Sequence, residues 1–391
     1  MGNASAPALV AAGRVEIDPE TLRRLVRQQL GRPNAEVGAW QVDPVAWQPV
    51  APTTAGLARV RGVARDGATT LPWSMFVKSL QSIRHWAHFD QVPSHLRAEA
   101  AATIPWRLEA DLYEANLAEL LPDGLRIPRL YHVQPLGDER MRLWMEDVQA
   151  VDLPWDLSRF QAAARLLGRL AARLSTDRLP ARLRHLRGLG LRYLYHGRLL
   201  HLTLPLLRDP ATWQHPLVAA SVDDQLRGDL EALARQVPRL LDALDTLPQG
   251  FAHGDAAPQN LLIPADDPDG FVAIDWGGFV GPAPVGADLG QLLVGLFHTG
   301  QLDPAELGGI HEAILSAYLD GLREEALRAD PAEVTYGYVA TLVVRGGFSA
   351  LPLELLTTQP TPAVQELFRR RAQLARFITD LALALPQPAR R

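Results

Sequence analysis

The sequence predicts an α+β protein in two lobes, an antiparallel β lobe followed by a mainly helical one. Three observations carry this reading. From about Val15 to Asp147 short strand-like runs alternate with turns. Beyond Leu157 the chain is rich in Ala, Leu and Arg at helical spacing, and inside that stretch lies one β-like island, Phe251–Trp276. Residues 1–15 then read as a flexible start, 16–147 as the β lobe with one main helix, and 148–391 as the helical lobe.

The elements follow in order. Glu20–Leu30 is an amphipathic helix opened by Asp18 as cap and Pro19 in the first turn. Trp40–Pro49, Gly56–Arg65 and Leu71–Leu80 read as strands, with Gly67 turning the last two into a hairpin. Ala98–Leu121 is a long helical pattern that Pro105 must start or kink, which places its start near Thr103. Pro128–Pro135 and Met141–Met145 form another strand pair around Gly137-Asp138. Ser158 is the expected N-cap of a helix over Arg159–Leu174. Further helices are expected at Leu189–Leu207, Asp223–Leu247, Ala287–Phe297, Pro304–Arg323, Pro331–Gly346 and Pro362–Leu385.

Composition narrows the classes of function. The chain is 47% hydrophobic and 21% charged, with a formal net charge of -5 and no block of like charge, so nucleic acid is not an expected partner. Without cysteine there is no disulfide, thiolate metal site or cysteine nucleophile, which suits a reducing cytoplasm. Met1–Gly13 lacks the basic region of a signal peptide, and Ala6 breaks the myristoylation pattern. No apolar run approaches the ~18 residues of a membrane span. A cytoplasmic protein away from the membrane is therefore expected.

The island holds the chemistry. It reads His253-Gly254-Asp255-Ala256-Ala257-Pro258-Gln259-Asn260, then Leu261–Ile263, a turn, and Phe271-Val272-Ala273-Ile274-Asp275-Trp276. Phosphoryl transfer needs a carboxylate at the attacking hydroxyl, oxygen ligands for Mg²⁺ and cations on the phosphates. Asp255 is placed to accept a proton, Asn260 to turn its carbonyl oxygen to a metal, and Asp275 to supply a second ligand. The two apolar stretches form a buried hairpin that brings Asn260 and Asp275 together. The acidic turn Asp266–Gly270 is not a calcium loop, because Ala265 and Trp276 stand where its first and bidentate ligands belong.

HGDxxxxN followed by IDW resembles the aminoglycoside phosphotransferase and choline kinase-like family, whose fold is that of the protein kinases. The resemblance runs from about Trp40 to Phe297 and implies the rest of a site. Trp73–Lys78 resembles the third strand, ending in a phosphate-binding lysine. Trp106-Arg107-Leu108-Glu109, with Tyr113, resembles the helix whose carboxylate holds that lysine, which makes Glu109 the candidate. Thr53 and Thr54, in Ala51–Gly56, stand where the loop covering the phosphates lies. Leu143–Val148 resembles the inter-lobe linker, with adenine bound by backbone around Glu146 to Val148. Asp288, opening the next helix, and His253 support the catalytic loop. The segment His85–Phe89 reads as an insertion or lid, since its two histidines have no acidic third ligand nearby.

The resemblance implies a Mg²⁺-dependent kinase using ATP, with GTP the open alternative, on a small-molecule hydroxyl: an aminoglycoside-like antibiotic or a metabolite. Acceptor contacts are expected from the helical lobe, with Tyr336 and Arg345 as candidates. Arg345 equally suits a structural pair with a carboxylate. The alternative is a kinase-like nucleotide binder without turnover. A protein kinase is disfavoured, because Gly254 replaces the arginine that receives an activation-loop phosphate and only 13 positions (288 − 275) separate Asp275 from Asp288.

Overall fold

The computed structural model describes residues 17–46 and 51–386. The flexible-start reading of residues 1–15 and the end of the strand placed at Trp40–Pro49 lie outside the described residues. The strands in chain order are β1 (Glu36–Pro44), β2 (Thr54–Asp66), β3 (Thr69–Gln81), β4 (Leu125–Arg126), β5 (Leu130–Gly137), β6 (Arg140–Glu146), β7 (Gln249–Ala252), β8 (Leu261–Leu262), β9 (Phe271–Ala273) and β10 (Val280–Pro284). The chain divides into two compact units, one of residues up to 116 with 127–150, the other of 117–126 with 151–391. The stretch 117–126 joins the second unit, ahead of the boundary expected at 147. Its strand β4 pairs with β9 in parallel, and Arg173 Nη1 donates to Leu121 O at 2.8 Å.

In the first unit one antiparallel sheet runs β1-β2-β3-β6-β5, with β3 at its centre. Alternation sorts the side chains of β3 to two faces. Trp73, Met75 and Val77 pack with Leu22, Leu25 and Val26 of the helix Pro19–Leu30. Phe76 and Leu80, on the opposite face, pack with Ala110, Met141, Leu143 and Met145. The helix Pro19–Leu30 begins as the sequence implies: the Asp18 carboxylate accepts from Thr21 N at 2.8 Å, and Gly31 ends it in the left-handed region.

The long helix expected over Ala98–Leu121 is broken. Arg97–Thr103 is one short helix and Leu108–Glu114 a second. Pro105 offers no N–H and forces Ile104 into extended backbone (φ -74°, ψ 115°), so Thr103 ends a helix instead of starting one. The segment before it is three short 3₁₀ turns, and His85 Nε2 is 2.7 Å from Asp138 O.

The second unit is built on helices Leu157–Arg173 and Leu307–Glu324, which cross in contact at two glycines. A Cβ on Gly168 would stand 2.2 Å from Tyr318 O, and one on Gly321 2.0 Å from Arg165 O. The first of these helices is capped by Asp156, not by the expected Ser158: Arg159 N donates to Asp156 Oδ1 at 2.9 Å, and Ser158 Oγ bonds the same carboxylate. Helix Leu289–His298 is buried on nearly every side. Helix Pro331–Leu342 runs on into a π-helical turn, Val343–Gly347, and helix Pro362–Leu383 follows. Two small sheets lie among these helices, β7 with β10 and β4-β9-β8. Among the described residues no helix is long and apolar enough to cross a membrane.

Candidate active site

Lys78 shares the sheet face of Phe76 and Leu80, so the period of the strand aims it at helix Leu108–Glu114. There Lys78 Nζ and Glu109 Oε2 lie 2.6 Å apart, with side chains 8% and 4% exposed. Charges so deeply buried persist only when paired. Lys78 is also the sole lysine of the chain; every other one of its 39 basic residues is arginine. Arginine is a planar fork and lysine a compact point charge on a flexible stem, so the two are not interchangeable here.

The proposed phosphate loop is tied to the end of the same strand. Gln81 N donates to Thr53 O at 2.9 Å and Gln81 Nε2 to Pro52 O at 3.2 Å. Thr54 is already a strand residue opposite Leu80, and its N–H is spent on Ala51 O at 3.3 Å. In the linker, Glu146 Oε2 accepts from Arg129 N at 3.0 Å, and Val148 is half-buried. The next acid is no idle charge: Asp147 is buried, takes Arg59 Nε at 2.7 and 2.9 Å on its two oxygens, and accepts from Ser74 Oγ. Sequence reasoning passed over this anchor, since Asp147 and Arg59 are 88 residues apart.

In the second unit the loop between β7 and β8 carries the acid. Gly254 has φ +81°, and a Cβ there would stand 1.9 Å from Gly278 O, so only glycine lets the loop lie against the turn Trp276–Gly278. Asp288 holds the same loop from beneath. Its Oδ1 accepts from Gly254 N at 2.8 Å and its Oδ2 from His253 N at 3.0 Å. Burial pushes this carboxyl above the usual carboxylate range, opposed by His253 and by the two loop N–H groups. Asp288 makes no side-chain cap to its own helix; each of its oxygens accepts one bond from the loop. His253 is fully buried, its ring 4.4 Å from that of Trp276. Nδ1 accepts from Asp255 N at 3.2 Å, which leaves the proton on Nε2 to donate to Ile274 O at 3.0 Å. Both ring nitrogens are thus engaged by backbone of the loop and of Ile274.

Asp255 is 37% exposed. Its Oδ2 accepts from Asn260 Nδ2 at 2.9 Å, and the same amide nitrogen donates to Asp255 O at 2.8 Å. With the nitrogen committed, Asn260 Oδ1 is the atom left to face a ligand. The ladder pairs Leu261 with Ala273 and Leu262 with Val272, and Ile274 N donates to Asn260 O at 2.9 Å. That sets Asn260 opposite Ile274, the residue before Asp275. Asp275 itself has φ 62° and ψ 53°, a left-handed conformation that costs a non-glycine residue roughly 1–2 kcal/mol.

Two oxygen-bearing side chains fit Mg²⁺, a hard cation that keeps waters and binds largely through substrate phosphates. Among the described residues no cluster of three or more His, Cys, Asp or Glu is placed to hold a metal ion. One residue completes the arrangement from afar. Arg345, in the π-helical turn, donates through Nη2 to Asp255 Oδ1 at 3.2 Å. Tyr336 is buried, and its hydroxyl has no hydrogen-bond partner.

The segment between Asp275 and Asp288 is taken up by the turn Trp276–Gly278 and by β10, which pairs with β7. No activation segment of protein-kinase type stands there.

The profile of the phosphotransferase enzyme family (APH) matches residues 98–328. No curated protein matches the chain by sequence. Among solved structures, an amicoumacin kinase in complex with AMP-PNP and Ca²⁺ superposes with a TM-score of 0.50 at 14% identity, over 93% of this chain and 94% of that one. An aminoglycoside phosphotransferase from Alicyclobacillus acidocaldarius gives 0.48 at 17% identity, over 83% and 92%. A spectinomycin phosphotransferase in complex with ADP gives 0.45 at 13%, over 94% and 99%. At 14% identity the likeness to the amicoumacin kinase is one of fold.

Proposed function

The chain belongs to the phosphotransferase enzyme family, and on that footing we propose that it moves the γ-phosphate of ATP to a hydroxyl of a small molecule. The observation that carries this reading is the loop around Asp255. Asn260 and Arg345 fix its two carboxylate oxygens, and Asp288 fixes its backbone through the N–H groups of Gly254 and His253. Such a carboxylate is oriented without being buried, which suits an acceptor of a hydroxyl proton.

In the proposed step the acceptor oxygen forms a bond to the γ-phosphorus while the bond from that phosphorus to the β,γ-bridging oxygen breaks. The acceptor proton passes to Asp255, and ADP leaves. Asn260 Oδ1 and the Asp275 carboxylate would hold Mg²⁺, which when bound neutralises charge on the phosphates. Lys78, kept in place by Glu109, would bind α- and β-phosphate oxygens as a point charge. Thr53, Thr54 and the backbone of Glu146–Val148 would line the rest of the nucleotide.

The test is acceptor-stimulated ADP release across a panel of hydroxylated antibiotics and metabolites, with casein-type proteins as the contrast. Asp255→Asn keeps the shape and removes the basicity, so kcat should fall by roughly 10²–10⁴-fold with nucleotide affinity retained. Wild-type turnover in the pure variant would sink the assignment.

A further inference from the structure

The second unit contains a cavity of about 340 Å³ beside Asp255, a volume suited to one compact ligand. Gly254 and Arg345 lie in its wall, and the same Arg345 bonds Asp255 Oδ1, so the cavity adjoins the loop that carries the carboxylate. One flank is apolar, with Leu189, Leu241, Val280 and Pro282. Thr341 also lines it. It is 4% exposed, and its Oγ1 has no hydrogen-bond partner, not even the carbonyl one helical turn back that usually takes a helical threonine. A buried hydroxyl left unpaired is costly unless a ligand group completes it.

Four charged side chains lie in the wall. They are Arg187, Arg192, Arg345 and Asp245. Asp245 is consumed by Arg192, which donates to it at 2.5 and 3.1 Å and also to Asp242 at 2.9 Å. Arg345 is shared with Asp255, while Arg187 stands exposed at the rim. A polycationic acceptor needs free carboxylates; the one in this wall, Asp245, is paired with Arg192, while Arg187 stands exposed.

Resting on the phosphotransfer reading above, we propose that this cavity selects a compact hydroxyl compound bearing a carboxylate or phosphate and an apolar flank, read by Thr341 and the arginines. A polycationic aminoglycoside does not fit it. The hydroxyl to be phosphorylated faces Asp255. Thr341 Oγ pairs with a polar atom of the ligand, and the anion is met by Arg345 or by Arg187 at the rim.

The experiment uses the full chain and three sets of probes: hydroxy acids (quinate, gluconate) with sugar phosphates, their neutral counterparts (inositol, sorbitol), and kanamycin. ADP release is measured for each, and binding is measured by calorimetry without nucleotide. Thr341→Val is the companion variant. It should raise Tm without ligand, because an unpaired buried hydroxyl is removed, and raise the KM or Kd of the anionic probe about tenfold. The hydroxy-acid and sugar-phosphate arms separate the two anions. Preference for kanamycin or for the neutral polyols overturns the inference and leaves phosphotransfer standing. Absence of turnover, with anion binding that Thr341→Val weakens, sinks phosphotransfer and supports the cavity. An anion Kd indifferent to Thr341→Val, or no anion binding at all, overturns the inference.

Discussion

Glu109→Ala removes the carboxylate from an ion pair whose charged atoms are 2.6 Å apart and whose side chains are 8% and 4% exposed. At an effective dielectric of ~20 the attraction is about 6 kcal/mol, similar to the cost of drawing both ions out of water. The intact pair is therefore close to neutral for folding, whereas a lone ammonium left behind costs about 3–5 kcal/mol. That cost falls on the sheet of the first unit, where β3 and β6 pair through Lys78 and Leu143. Hydrogen exchange read by mass spectrometry on peptides covering Thr69–Gln81 and Arg140–Glu146 should accelerate by about two to three orders of magnitude. Combining Lys78→Met with Glu109→Leu should restore most of the protection, because two apolar groups replace two charges. Catalysis should behave differently: Lys78→Ala and Glu109→Ala should be non-additive in kcat/KM, the double variant being little worse than Lys78→Ala alone. Full additivity together with unchanged exchange would refute the idea that Glu109 acts by holding Lys78.

Three further outcomes can be checked independently. Asn260→Ala and Asp275→Ala should each raise the Mg²⁺ concentration for half-maximal turnover, and identical Mg²⁺ curves in both would move the metal elsewhere. Gly254→Ala drives a Cβ to within 1.9 Å of Gly278 O at φ +81°, so turnover should collapse while a thermal melt still shows a folded protein. His298 is held down to about 4 by burial, reinforced by Arg371, and its shielded Nε2 has no partner. Its folded pKa lies below the ordinary 6.5, so the unfolded chain binds the proton first. Stability is then complete above pH 6.5 and is lost as pH falls toward 4, by at most about 3 kcal/mol. Urea midpoints of His298→Leu should be flatter than wild type across that window.

Much of this molecule was legible in the sequence because the decisive signals are local. Asp255 and Asn260 sit five positions apart on one loop, and the alternation of Trp73–Lys78 gives both the strand and the face on which Lys78 lies. Helix ends were less legible: Asp156 and Ser158 are both good caps, and only the bonded geometry chose Asp156. Pro105 marks a disruption in the sequence, and the structure shows that it separates two short helices. What sequence could not supply was pairing at long range. Arg345 reaches Asp255 across 90 residues from an apolar helix without a motif, and Asp147 finds Arg59 across 88. Thr341 has no signature at all, because its meaning lies in a bond that is missing.

The solitary lysine has a practical consequence. This sequence, with 39 basic residues and one ε-amine, offers amine-directed reagents one lysine address. That amine is 2.6 Å from Glu109 Oε2, and its side chain is 8% exposed. Acylation of this side chain in the native protein therefore requires the ion pair to part. Its rate is a built-in clock for the opening of the first unit, read from one modified peptide without any introduced label.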